Sequence, residues 1–179
     1  MTLTLTQHRR HSIRPYEPID LDGLDPLAAV DAVITDVHEF RIPGDANGLF
    51  TATRHVSLLC HLAARMAAET EYALVPSVKK SPTAATLAQT AGHLGRAIAH
   101  YTQALAPLVA LTTRGTQSAI QEHVSGLVHH SRLRRHLEGS AEALTAARDC
   151  LHGSSRPTPT RTPIPPHTPS ASTHTRPRA

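Results

Sequence analysis

The sequence predicts an all-α protein with a single four-helix, bundle-like domain. Three observations support this fold class. Leucine and alanine recur at intervals of three and four residues, as they do along one face of a helix. Aromatic residues make up only 3% of the chain, whereas a sheet favours aromatic and β-branched residues in alternation. Both ends of the chain lack this helical pattern, which confines the fold to the middle.

The chain divides into three regions by composition. The first helix signal comes after residue 20, so we expect residues 1–20 to be a flexible segment. Residues 154–179 contain seven prolines and one large apolar residue, too little apolar surface to offset the entropy of ordering. We therefore expect a helical domain over residues 21–153, followed by a disordered tail rich in proline, threonine and serine. A domain of about 130 residues can bury one modest core.

The first helix is predicted to begin at Asp25, because aspartate is a good N-cap and Pro26 suits the first helical position. Its apolar stripe consists of Leu27, Val30, Val33 or Ile34, Val37 and Phe40. The acids Asp31, Asp36 and Glu39 are predicted to lie off that stripe. The turn-forming sequence RIPGDANG should end the helix.

The second helix is predicted from about Thr51 to Ala73. Its apolar stripe consists of Val56, Leu59, Leu62 or Ala63 and Met66, and its opposite side carries Arg54, His61, Arg65 and Glu69. Cys60 is expected to be a small, buried or half-buried apolar residue.

The third helix, capped by Ser81, has the most regular pattern. Leu87, Ala91, Leu94, Ile98, Tyr101, Leu105, Leu108 and Thr112 form a heptad seam. A parallel stripe of small residues includes Gly92 and Gly95, which predicts a close approach by another backbone. Pro107 should kink or end the helix. The seam also makes a homo-oligomer through this helix one expectation.

The fourth helix is predicted from about Thr116 to Leu151, with Gly153 as its C-terminal cap. One apolar stripe consists of Ile120, Val124 and Leu127. A second consists of Leu133, Leu137, Leu144, Ala147 and Leu151. The two stripes are out of phase, and the slip lies around Ser131.

The most strongly charged stretch of the predicted domain is HHSRLRRH, residues 129–136, within the fourth helix. Its candidate interaction residues, which we call the basic face, are His129, Arg132, Arg134, Arg135 and His136. They straddle the apolar stripe, as charged residues do on any amphipathic helix. Three interpretations stay open for them: a solvated helix face, a phosphate-binding face for nucleic acid, or a surface for an acidic protein partner.

The sequence contains no pattern typical of an enzyme, a metal site or a cofactor site. Histidines that share a helix face, such as His93 and His100, are seven residues apart, about 10 Å along the axis. Cys60 and His61 are adjacent, so they diverge on a helix and form no catalytic dyad. We therefore predict no catalytic residues, no metal ligands and no cofactor.

Charge and hydropathy lead to the functional expectation. Residues 17–50 carry eight acids and one arginine, and they precede a basic fourth helix. Docking of the acidic first helix near the fourth is therefore one possibility. No apolar run is long enough to cross a membrane or to form a signal peptide. The sequence thus favours a cytoplasmic, non-enzymatic interaction or regulatory protein with a protein partner. The alternative is a nucleic-acid-associated accessory protein that uses the basic face and the arginine-bearing tail.

Overall fold

The computed structural model describes residues 19–75, 82–113 and 119–155. They form four helices: α1 (Pro26–Glu39), α2 (Ala46–Ala73), α3 (Ala84–Thr112) and α4 (Ala119–Ser155). No strand occurs in these ranges, so the predicted all-α, four-helix class is confirmed. Apart from residues 19–20 and 154–155, the predicted flexible segment and the predicted tail lie outside the described residues.

Polar side chains set where three of the helices begin. Asp25 accepts hydrogen bonds from the backbone N–H groups of Leu27 and Ala28, both at 3.0 Å, as predicted for an N-cap. Asp45 caps α2 in the same way, so that helix begins at Ala46, earlier than its apolar stripe suggested. Thr83, and not Ser81, caps α3.

Two predicted helix breakers do not end their helices. α3 continues past the buried Pro107 to Thr112. α4 continues past Gly153 to Ser155. Only the first four N–H groups of a helix lack a partner within the helix, so a proline in the middle of a helix removes one hydrogen bond. Packing around the buried Pro107 outweighs that loss in α3.

The helices pack in a ring. α3 lies along both α2 and α4, and the shorter α1 covers α2 and α4 on the other side. Cys150 near the end of α4 meets the carbonyl of Thr86 near the start of α3, with 3.8 Å between Sγ and O. Farther along, the rings of His100 and His136 meet with centroids 6.2 Å apart. α3 and α4 are therefore antiparallel.

The heptad seam of α3 forms the centre of the core. Leu87, Leu94, Tyr101 and Leu108 are at most 2% exposed, and the residues between them on the seam are half-buried. The chain's own α2 and α4 cover this seam. It offers little free surface to a second copy, and a homo-oligomer through the α3 seam stays a prediction.

Two predictions about small residues are also wrong. Gly92 and Gly95 are exposed, and a Cβ added at either would meet nothing within 4 Å, so no backbone approaches them. The crowded glycine is Gly139 of α4, where an added Cβ would lie 2.5 Å from Cε1 of His100. Cys60 is exposed on α2, not buried.

No helix in the described ranges has an apolar stretch long enough to cross a bilayer.

Candidate interaction surface

The phase slip in α4 separates a buried stripe from an exposed one. After the slip, Leu133, Ser140 and Ala147 follow one another at intervals of seven residues and are all buried. Before it, four large apolar side chains are exposed: Ile120 by 78%, Val124 by 56%, Leu127 by 60% and Val128 by 44%. The sequence keeps its helical periodicity through both halves, but the fold buries only the second stripe.

Helix geometry explains this difference. Val124 precedes Leu133 by nine residues, and at about 100° per residue the two side chains point to opposite sides of α4. The residues of the first half that are half-buried are small or polar, namely Ser125, Gly126 and His129. The usual arrangement of apolar inside and polar outside is therefore inverted over this part of α4.

A groove lies between α4 and the segment that joins α1 to α2, and its volume is about 650 Å³. Its apolar lining consists of Ile42, Leu133, Leu137 and Ala141. Its rim carries Arg41, His130, Arg134 and Glu138. An apolar groove with a few polar groups at its edge is the usual form of a binding site.

The groove adjoins the exposed stripe along one row of α4, at Ile120 and Leu127, whereas Val124 and Val128 lie farther round the helix. Ile120, Leu127, Arg134 and Ala141 are spaced by seven residues, so they align in a row nearly parallel to the axis of α4. The last two of them line the groove, and the first two are exposed before it. We call the exposed stripe and the groove together the docking face.

The structure places the basic face around this surface but does not bring all its members together. Arg132, Arg134 and Arg135 are exposed. Arg134 lines the groove and donates from Nε to Glu138 Oε1 at 2.7 Å. The partly buried His129 and His136 lie on the other flank of α4. Burial, then the neighbouring His100 and Arg135, lowers the pKa of His136.

Arg41 and Ile42 are site residues that the sequence analysis missed. Their segment was interpreted only as a turn, because Pro43 and Gly44 mark one. The close fit of this segment to α4 is visible at Gly44, where an added Cβ would lie 2.5 Å from Cε1 of His130. Glycine at this position lets the segment approach α4 and form one wall of the groove.

The acidic first helix docks on α4, but not on the basic face. Asp31 of α1 accepts a hydrogen bond from Arg148 Nε at 2.6 Å, well beyond the HHSRLRRH stretch. The carboxylate that pairs with the basic face is Glu138 of α4 itself. α1 therefore leaves the docking face open.

A second set of polar residues lies inside the bundle and was also missed. Asp36 is 4% exposed and His55 is 1% exposed. Oδ1 of Asp36 lies 3.6 Å from Arg54 Nη2, and its Oδ2 lies 3.6 Å from His55 Nε2. The His55 ring packs edge-on against Tyr101 with centroids 5.4 Å apart. We call Asp36, Arg54, His55 and Tyr101 the buried polar cluster.

Burial dominates the electrostatics of this cluster. It lowers the pKa of His55 to about 4, with a further contribution from the charge of Arg54. It raises the pKa of Asp36, although Arg54 opposes that change, and it raises the pKa of Tyr101 to about 12. At neutral pH the imidazole and the phenol are therefore uncharged. The cluster joins α1, α2 and α3 at the centre of the fold.

In the described ranges no three histidine, cysteine, aspartate or glutamate side chains converge as metal ligands would. Comparison with protein-family models found no match, and comparisons with curated proteins and with solved structures found no significant similarity.

Proposed function

We propose that this protein is a non-enzymatic interaction protein that binds a protein partner through the docking face. The supporting observation is the inverted stripe of α4. Ile120, Val124, Leu127 and Val128 are exposed, although their spacing is that of a buried helix face. Contiguous exposed apolar surface with a polar rim is typical of protein–protein interfaces.

The composition of the docking face supports the same proposal. Most of its residues are apolar, and the arginines Arg41 and Arg134 line its groove. Interface centres are depleted in charged residues other than arginine, whose planar guanidinium forms paired hydrogen bonds with carboxylates. A partner helix would bury the apolar stripe and place its polar groups at this rim.

Binding of nucleic acid is the second candidate, and the exposure of Arg132, Arg134 and Arg135 favours it. Arginines on one helix can contact phosphates. However, Glu138, Glu142 and Asp149 are exposed on the same helix, and the first of them already pairs with Arg134. These acids reduce the attraction for a polyanion, so we place this candidate second.

The proposal is tested by capturing partners from the source cells with three tagged proteins. These are the wild type, Leu127→Glu, and Phe50→Glu as a matched control. Phe50 is 71% exposed on α2, which packs on α1 and α3. A partner of the docking face is lost with Leu127→Glu and retained with Phe50→Glu. The candidate is then purified, and its direct affinity for the three proteins is measured by calorimetry. Partners that bind all three proteins equally would contradict the proposal.

A further inference from the structure

We infer that the segment that occupies the docking face is an acidic amphipathic helix of a partner protein, which lies along α4 in line with α1. This inference rests on the proposed function and specifies the chemistry of the partner. Three observations support it: the way α1 itself packs on α4, the length of the exposed row, and the charge at the rim of the groove.

The first helix provides a template within the molecule. α1 is an amphipathic helix with an acidic side. It buries Val30 and Val33 in the core, and its Asp31 pairs with Arg148 of α4. Arg148 stands seven residues after Ala141 and so continues the row formed by Ile120, Leu127, Arg134 and Ala141. At one end of this row an acidic helix thus already contacts α4.

The rest of the row is long enough for a second helix. α4 has 37 residues and α1 has 14, so α1 covers only part of it. The stretch from Ile120 to Ala141 is about 32 Å long at a rise of about 1.5 Å per residue. A compact small molecule would fill the groove and leave Ile120 and Leu127 exposed. A helix of about six turns would cover both, with anchors at the spacing typical of helix-in-groove binding.

The rim of the groove favours an acidic occupant. Arg41 and Arg134 both line it, Arg41 from the segment between α1 and α2 and Arg134 from α4. Glu138 is the single acid of the lining, and it is engaged by Arg134. No ion pair within the described residues involves Arg41. A carboxylate on the partner could pair with Arg41, as Asp31 does with Arg148.

The chain's own remaining segments do not fit this surface. Residues 1–18 contain three arginines and one glutamate, and residues 156–179 contain four arginines and no acid. Both would bring like charge to an arginine rim. A second copy of the chain does not supply a suitable acidic helix either. Its helix α1 is already packed in the bundle, where Asp31 pairs with Arg148 and Asp36 pairs with Arg54.

The experiment uses two fluorescein-labelled synthetic helices of about 22 residues, which span about 32 Å. Both have the same leucine–alanine apolar face. One has glutamates and the other has lysines on the polar sides. Binding to the full-length protein is measured by fluorescence anisotropy at about 150 mM salt, where distant charges are screened. We expect the glutamate peptide to bind about tenfold more tightly than the lysine peptide.

Variants locate the binding. Arg41→Gln combined with Arg134→Gln should weaken binding of the glutamate peptide by about fivefold or more, and leave the lysine peptide unchanged or tighter. Leu127→Ser should weaken both peptides. Arg96→Gln is the matched control, because Arg96 is an exposed arginine on α3, and it should change neither affinity.

Each other outcome overturns the inference. If both peptides bind equally and Leu127→Ser weakens both, the partner is not specifically acidic. The proposed function would still hold in that case. Failure of both peptides to bind would remove the helical partner, whereas the capture experiment with Leu127→Glu would still decide the proposed function. If sedimentation of the protein alone shows a dimer, and Leu127→Ser abolishes that dimer, then a second copy of the chain occupies the docking face. Tight binding of a DNA duplex that is lost with the paired arginine variant would make nucleic acid the ligand.

Discussion

Arg54 Nη2 lies 3.6 Å from Oδ1 of Asp36, and the guanidinium carbon of Arg54 lies 4.7 Å from the centre of the Phe40 ring. This contact joins the end of α1 to the start of α2. The side chains of Asp36 and Arg54 are largely buried, at 3% and 17% exposed. The pair therefore places two charges where an apolar contact would be expected. Burial raises the pKa of Asp36 despite the cation, which indicates that the attraction does not fully offset the loss of hydration.

The first prediction concerns this pair. Arg54→Met should reduce the free energy of unfolding by about 3 kcal/mol, because it leaves a buried carboxylate without this cation. Adding Asp36→Leu should restore most of the loss, since a buried ion pair can be replaced by apolar residues of similar size. Urea unfolding at pH 7 measures both effects. Arg148→Met, at the exposed pair with Asp31, is the control and should cost less than about 1 kcal/mol. A double variant no more stable than Arg54→Met would contradict this account.

The second prediction concerns acid stability. The pKa of His55 is about 4 in the folded protein and 6.5 without the fold. As the pH falls from 6.5 towards 4, the unfolded chain therefore takes up a proton that the folded chain does not, and stability decreases. The loss reaches about 3 kcal/mol at 1.36 kcal/mol per pKa unit. Asp36 acts in the opposite direction, because its raised pKa favours the folded state as the carboxyl becomes protonated.

Replacing His55 with glutamine should remove the histidine contribution and leave a flatter pH dependence. Urea unfolding of both proteins at several values between pH 7 and pH 4 tests this directly. Between pH 7 and pH 4, the free energy of unfolding should fall more for the wild type than for the variant. Only the wild type loses the contribution of His55. Parallel curves over the whole interval would show that His55 becomes protonated in the folded protein as readily as in the unfolded chain.

The buried polar cluster also shows where sequence reasoning reaches its limit. The α3 seam could be predicted, because leucine spacing alone defines a buried row. The cluster could not, since His55 stands four residues before Leu59 and Asp36 three residues after Val33, on the apolar rows of their helices. Such positions are a usable signal: a polar residue in register with a buried row needs a partner. The partner itself depends on how the helices pack, which periodicity does not specify.

The docking face was predictable only in part. The phase slip near Ser131 was visible in the sequence, but periodicity does not tell which of two stripes faces the core. Packing against α3 decides this, and it selects Leu133 and Leu144 over Leu127. The other wall of the groove comes from Arg41 and Ile42, whose contact with α4 is a tertiary one.

The third prediction contrasts two glycines. Gly95→Ala should stabilise the protein by about 0.5–1 kcal/mol, because the site is exposed and alanine is the better helix former. Gly139→Ala should instead destabilise it by about 1 kcal/mol or more, since the new methyl group would collide with the His100 ring. Thermal unfolding measures both variants. Adding His100→Ala to Gly139→Ala should relieve the collision. Equal melting temperatures for Gly95→Ala and Gly139→Ala would argue against the close contact of α3 and α4 at this point.

The fourth prediction concerns the basic face. Replacing Arg132, Arg134 and Arg135 together with glutamine should change the free energy of unfolding by less than about 1 kcal/mol, because all three are exposed and the one ion pair, Arg134 with Glu138, is a surface pair. If the proteins bind duplex DNA at all, the salt dependence of binding should be the same for wild type and variant. A decrease of about three units in the logarithmic salt slope of the variant would instead assign the phosphate contacts to this face.

The last prediction tests the inverted stripe with one substitution at two positions of the same helix. Leu144 is 2% exposed and Leu127 is 60% exposed. Leu144→Ala should cost about 2–5 kcal/mol, the range for a buried leucine, because it loses apolar contacts and leaves a cavity. Leu127→Ala should cost less than about 1 kcal/mol, since solvent already reaches that side chain and alanine favours the helix. Urea unfolding of the full-length chain gives both values. A similar large loss at Leu127 would mean that the chain itself covers the outward side of α4. The docking face would then be part of the core, and the protein partner would have to bind elsewhere.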